Sequence, residues 1–200
     1  MRIIDFEQGS KEWLQSRLGC PSGSNFDKLI TSTGKPSTQS QGYINQLIAE
    51  ILTNKTTEVR VNEAMQRGTD LEPEAREFYE LAAGVEVLQT GFIKHSNLEA
   101  GVSPDGLVGD DGGLEIKCPS PSWHCAYLRS GDLPAKYVAQ VQGCLWITNR
   151  SWWDFMSYHE EMRSMIVRVW RDEDFIRNLA IEVGGAVATI QSEVNRIRKM

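Results

Sequence analysis

The chain has 200 residues, of which 40% are hydrophobic and 24% charged, and a net charge of −6. That length suits one domain spanning residues 1–200, which buries roughly 70% of the surface its unfolded chain exposes and so folds without disulfides or a structural metal. A pI near 5.2 counts against a protein that grips nucleic acid by overall charge, but leaves room for a local basic surface or for a protein that encircles DNA.

In chain order, Ser10 is placed to N-cap a short helix through about Leu18, with Trp13, Leu14 and Leu18 on one face. Ser22 to Ser24 opens a second helix to about Ile30. The polar run Thr31 to Gln41, with Gly34 and Pro36, reads as a surface loop. Tyr43, Leu47, Ile48 and Ile51 then recur at helical spacing. A helix from about Asn62 to Ala83 carries the apolar stripe Leu71, Ala75, Phe78 and Ala82. Pro73 within it either kinks the helix or opens a separate one. Strand signals follow at Val85–Gln89, Gly91–His95, Gly101–Val108 and Leu114–Lys117, the last two around the turn-forming run GDDGG. Pro134 precedes a helix from about Lys136 to Ile147. Trp152–Tyr158 and Met165–Trp170 read as two more strands, and Asp172 caps a long closing helix. This order predicts an α/β (α+β) domain: a small mixed β-sheet flanked by helices.

The chemistry concentrates in SPDGLVGDDGGLEIK, residues Ser103 to Lys117. If Leu107 opposes Gly113 in a hairpin, Asp105 opposes Glu115, and the loop has five residues, or three if Val108 and Gly112 also pair. The period of two puts Glu115 and Lys117 on that same face and turns Ile116 away. Two carboxylates held this close repel unless a cation sits between them. All-oxygen ligation suits Mg²⁺, with Mn²⁺ as a substitute. A metal-bound water could then attack phosphorus, with the lysine orienting it or stabilising charge. The pattern alone also fits an exposed charged hairpin with a structural salt bridge, and Glu72 alone also fits a surface acid paired with Arg76 one helical turn on.

Cys20, Cys118, Cys125 and Cys144 form no CxxC pair, which excludes common zinc and iron–sulfur spacings and points to reduced, mostly buried thiols. His95, His124 and His159 lie in no HExxH or Cys–His motif, so zinc hydrolases and thiol nucleophiles fit poorly; each histidine is expected at a surface or edge. No apolar run approaches the roughly 20 residues of a membrane span, and the N-terminus lacks a signal-peptide core. A cytoplasmic location with no membrane contact is expected.

PDG and LEIK match the PD-(D/E)XK nuclease signature, whose restriction-endonuclease-like core this fold class fits. With WLQSRLGCPSGS, RGTDLEPEAR, GVSPDGL, GLEIKCPSP and YVAQVQGCLW in one order, the chain resembles the lambda-type phage exonucleases, also called YqaJ-like viral recombinases. The resemblance implies that Asp105, Glu115, the Ile116 carbonyl and Glu72 hold the metal, and that Lys117 positions the attacking water. It also implies a 5′-phosphate pocket of Arg17, Ser24, Ser103 and Gln140. Arg17 and Ser24 also fit a surface charge and a simple N-cap. Guanidinium suits phosphate. Gln142 lies about 200° around the helix from Gln140, so the two do not share one pocket. The implied activity is 5′→3′ digestion of one strand of linear double-stranded DNA to mononucleotides, leaving a 3′ overhang. A homotrimeric ring, a phage single-strand annealing protein as partner, and a phage or prophage gene expressed in a bacterial cell are implied too. Pro73, directly after Glu72, departs from the pattern. Among Trp123, Trp146, Trp152, Trp153 and Trp170, the candidate roles are a strand-separating wedge, core packing and subunit contact. The alternatives are an endonuclease or 3′-acting nuclease on the same fold, and an inert DNA-binding protein; intact Asp105, Glu115 and Lys117 speak against the last.

Overall fold

The computed structural model describes residues 1–57 and 62–200. In chain order its elements are β1 (Arg2–Ile4), α1 (Lys11–Arg17), a 3-10 segment (Gly23–Lys28), α2 (Ser40–Thr53), α3 (Glu63–Ala83), β2 (Val87–Leu88), β3 (Phe92–Lys94), β4 (Gly101–Val102), β5 (Gly106–Val108), β6 (Gly112–Lys117), α4 (Pro121–Ser130), a 3-10 turn (Ala135–Tyr137), α5 (Val138–Thr148), β7 (Trp152–Ser157), β8 (Met165–Trp170) and α6 (Glu173–Ile197). The expected mixed α/β architecture is present, with one change. Among the described residues the strands form two sheets, one of three strands in the order β1-β3-β4 and one of five in the order β2-β5-β6-β7-β8. Among the described residues the β6–β7 strands pair in parallel and the other strand pairs of the larger sheet are antiparallel, so that sheet is mixed.

The stretch expected as a single strand from Gly101 to Val108 is divided. Gly101–Val102 pairs with β3 in the small sheet, and Gly106–Val108 pairs with β2 and β6 in the large one. Ser103, Pro104 and Asp105 bridge the two. Pro104 has no N–H to offer a ladder, and Gln8 Nε2 holds its carbonyl at 2.9 Å. The β5–β6 hairpin has the register read from the sequence: Leu107 opposes Gly113, and Val108 opposes Gly112, leaving a three-residue loop. Arg150 clamps that loop by donating from Nη1 to the carbonyls of Val108, Gly109 and Gly112 at 3.2, 2.8 and 2.6 Å.

The large sheet buries both faces. Trp153 and Phe155 belong to a core shared with α2, α5, α6 and the 3-10 segment, while Leu114, Ile116 and Met156 pack with Ala75 and Tyr79 of α3. Ser10 caps α1 and Asp172 caps α6, each accepting from the backbone N–H three residues on, an arrangement worth about 1 kcal/mol.

Several expectations change in detail. One 21-residue helix runs through Pro73, so no separate helix starts there. The buried positions of α3 are Ala75 and Tyr79 with Leu71 partly covered; Phe78 and Ala82 are exposed, because the register rests the i, i+4 row on the sheet. Ser22 opens a 3-10 segment rather than an α-helix, and α4 and β1 had no clear periodic signal. His124 and His159 are buried, not at the surface. His124 bonds Ser157 Oγ at 2.7 Å and the Arg163 carbonyl at 3.0 Å, which satisfies both ring nitrogens. Among the described residues no helix is long and apolar enough to cross a membrane.

Candidate active site

Asp105 enters from the bridge between sheets, Glu115 and Lys117 from one face of β6, Glu72 from α3, and Gln140 from α5. Glu115 is almost wholly buried. Its Oε1 accepts from the Lys117 ammonium and, at 2.5 Å, from Gln140 Nε2. Its Oε2 is buried and has no hydrogen-bond partner. Asp105 Oδ2 accepts from the Ile116 N–H at 2.6 Å, which ties the bridge to the strand carrying Glu115. Glu72 pairs with Arg76, whose Nε also reaches the Asp105 carbonyl at 3.4 Å. The surface-pair and site readings of Glu72 thus meet in one residue.

Electrostatics mark this cluster as short of positive charge. Burial, followed by the neighbouring Asp105 and Glu72 carboxylates, pushes Glu115 up to about 8 against the pull of Lys117. Burial also raises Asp105, and burial together with Asp105 raises Glu72. For Lys117, burial acts to lower the pKa, but Glu115 and Asp105 outweigh it and hold the ammonium charged. Three acids stand beside one ammonium, Lys117, and one guanidinium, Arg76, so full ionisation leaves an excess of negative charge that a cation would offset. Among the described residues no three acidic, His or Cys side chains form a ready-made metal cage. Even so, a buried carboxylate oxygen without a partner, two raised acids beside it and all-oxygen donors fit a hard divalent cation.

A second cluster lies beside the first. Trp13 Nε1 donates to Ser103 Oγ at 3.1 Å, two residues before Asp105. The Arg17 guanidinium stacks 3.9 Å from the Trp13 ring centre and reaches Ser22 Oγ at 3.3 Å. Asn25 Nδ2 spans Ser22 Oγ and Ser24 Oγ, 3.3 Å from each. Arg17, Ser24 and Ser103 are therefore linked through Trp13, Ser22 and Asn25. Gln140 instead bonds Glu115, on the acidic side. Gln142 points elsewhere, to the Trp170 carbonyl and the Asp172 N–H.

The model of the YqaJ-like viral recombinase domain matches residues 12–151, from the start of α1 to the start of β7. The chain belongs to this family. Like it in structure is an alkaline exonuclease, LHK-Exo, from Laribacter hongkongensis, at 34% identity over 95% of this chain and 97% of that one, with a TM-score of 0.87. LHK-Exo in complex with dAMP superposes with a TM-score of 0.86 at the same identity and coverage. A phage-related exonuclease from Haemophilus somnus 129PT shares the fold, at 16% identity over 89% of this chain and 96% of that one, with a TM-score of 0.72. No curated protein matched the chain in sequence.

In this member of the YqaJ-like family, the site residues with no role assigned from sequence are Trp13, Ser22, Asn25 and Tyr137, and Arg76 was expected only as the partner of Glu72. Trp13 had a signal, since it shares a helix face with Arg17 at i, i+4. Tyr137 had none; its ring reaches within 5.5 Å of Lys117 Nζ only through the turn before α5.

Proposed function

We propose that the chain is a Mg²⁺-dependent exonuclease that digests one strand of linear double-stranded DNA from a 5′-phosphorylated end. It releases mononucleotides and leaves a 3′ single-stranded overhang for recombination. The observation that carries this reading is Glu115: a buried carboxylate with one unpartnered oxygen, bonded to Lys117 and close enough to Asp105 to feel its charge. Family membership and the likeness to an alkaline exonuclease support a nuclease.

Asp105, Glu115, Glu72 and the Ile116 carbonyl would hold Mg²⁺, or Mn²⁺ in its place. The bound metal would supply Lewis-acid polarisation of a phosphoryl oxygen and a water of lowered pKa. The protein's own groups do the rest. Gln140 fixes one oxygen of Glu115 and leaves the other free. Lys117 stays an ammonium, able to orient a water or meet charge developing on the phosphate. Arg17, with Ser24 and Ser103 near it, would take the terminal phosphate, since a guanidinium fork matches phosphate oxygens. A homotrimeric ring around DNA would let an acidic chain stay on its track with little net attraction, and a phage annealing protein would take up the overhang. Both rest on the family resemblance, as does a site of action in the bacterial cytoplasm.

Incubation with Mg²⁺ and linear duplex, 5′-phosphorylated or 5′-hydroxyl, tests this beside Lys117→Ala and a closed circular duplex. Release of mononucleotides from the 5′ strand, faster with phosphate and lost in the variant, is expected. Cutting of the circle would replace the reading with an endonuclease. No release under any divalent ion would end the enzyme reading.

A further inference from the structure

Beside the acidic cluster lie aromatic rings that the proposed chemistry does not use. Lys117 Nζ lies 5.5 Å from the Tyr137 ring centre. Lys136 also meets Tyr137, its ammonium 4.7 Å from the Tyr137 ring, 5.3 Å from Trp123 and 5.5 Å from Tyr127. Trp123 projects from α4 and is 59% exposed. Tyr137 is thus shared by Lys117 and Lys136, and Lys136 also meets Trp123 and Tyr127.

Such a grouping is unusual for simple packing. An indole open to solvent to this degree adds little to a core and exposes a large apolar face. Lys136 is exposed, and among the described residues it forms no ion pair with a carboxylate. The rings flank the ammonium while leaving its charge unneutralised. A largely exposed indole beside a cation with no carboxylate partner matches the repeating chemistry of a nucleic-acid strand, which offers a base to stack and a phosphate to neutralise.

We infer that Trp123 and Lys136 form a subsite for a single DNA strand, with Trp123 stacking an unpaired base and Lys136 taking the adjoining phosphate, linked to Lys117 through Tyr137. The inference rests on the nuclease reading for its direction, but strand binding at these residues is measurable without turnover. Stacking tolerates any base, so the subsite adds affinity for a strand rather than sequence preference.

The test uses the full chain and a single-stranded oligonucleotide carrying 2-aminopurine, whose fluorescence is quenched on stacking. It is run in EDTA to separate binding from cleavage. Wild type quenches the probe. Trp123→Ala loses the quenching and binds roughly tenfold more weakly, and Trp123→Phe restores most of both. Lys136→Gln weakens binding and reduces the salt slope by about one. On linear duplex with Mg²⁺, Trp123→Ala raises KM about tenfold, with a smaller change in kcat. Trp170→Ala, which removes an exposed tryptophan elsewhere, leaves all of these unchanged. Unaltered quenching, affinity and KM in Trp123→Ala would overturn the inference. So would a changed assembly mass with unchanged DNA parameters, which would assign Trp123 to a contact between copies. If wild type releases no nucleotide under any divalent ion yet shows Trp123-dependent quenching, the nuclease reading fails and the strand subsite stands.

Discussion

Replacing Gly113 by alanine should damage the sheet beneath the acidic cluster out of proportion to one methyl group. A Cβ on Gly113 would lie 2.3 Å from Cζ3 of Trp153 and 2.4 Å from Cε3 and Cη2. Carbon atoms pack best at about 3.5–4.0 Å, so more than an ångström of room is missing. The obstacle is the fully buried ring of the residue directly opposite in the parallel β6–β7 ladder, and a buried indole cannot swing away as a flexible chain end can. Overpacking of this kind costs about 1–3 kcal/mol, and a rigid ring argues for the upper part of that range. For a domain of this size each kcal/mol moves Tm by about 2–4 °C, so a cost of about 2–3 kcal/mol gives a fall of about 4–12 °C. Gly185→Ala is the matched control, because that position on α6 is exposed with nothing within 4 Å of the added methyl. There alanine should stabilise by about 0.5–1 kcal/mol, a rise of about 1–4 °C. Thermal unfolding followed by circular dichroism reads both. A Gly113→Ala protein melting within about 1 °C of wild type would refute the reasoning, since it would mean that the indole does not lie flat on β6.

Three further outcomes follow from the site and core. Glu115 is raised to about 8 without a cation, so Mg²⁺ must displace a proton to bind. Apparent Mg²⁺ affinity, read by thermal shift, should strengthen as pH rises through about 8 and then level off. The sign for metal-free stability is the reverse: a raised acid holds its proton more tightly when folded, so its contribution is full below the unfolded pKa and is lost as pH rises through the folded value. A flat metal-free profile between those limits would contradict the assignment. Gln140→Leu removes the 2.5 Å donor to Glu115 and should weaken Mg²⁺ binding about 10–100-fold with little change in Tm; unchanged titration would show that Gln140 does not set the carboxylate. Native protein should react with a thiol reagent at Cys125 alone, because Cys20, Cys118 and Cys144 are buried, and burial pushes Cys20 up to about 12 and Cys118 up to about 11. Rapid labelling of a second thiol would mean a looser core.

The part of the site within one hairpin was legible in the sequence, because the period of two and the loop length are local. Glu115, Lys117 and the register read from GDDGG lie in that hairpin, while Asp105 stands one residue before its first paired position and reaches β6 through the Ile116 N–H instead of opposing Glu115 in the ladder. Glu72 needed tertiary structure. Its spacing to Arg76 predicts the ion pair, but nothing local says that α3 also brings it beside Asp105. The division of Gly101–Val108 between two sheets was hidden because an apolar stretch carries no record of which neighbours it pairs with. His124 was misread for a related reason: its buried partners, Ser157 Oγ and the Arg163 carbonyl, are 33 and 39 residues away. Trp13 meets Ser103 across 90 residues, so that contact was beyond any window on the sequence.

The short passage from Ser103 to Asp105 behaves as a spacer of fixed length. At one end Ser103 is held by Trp13, at the other Asp105 is held by the Ile116 N–H, and Gln8 grips the Pro104 carbonyl between them. Two residues of extended chain reach about 7 Å at most, so the group that would recognise a DNA terminus and the group that would serve the reaction stand one short step apart. Adding or deleting a residue here would shift Asp105 against the Trp13 and Ile116 anchors that now fix the segment. At this joint it is the count of residues, more than their identity, that the fold cannot allow to drift.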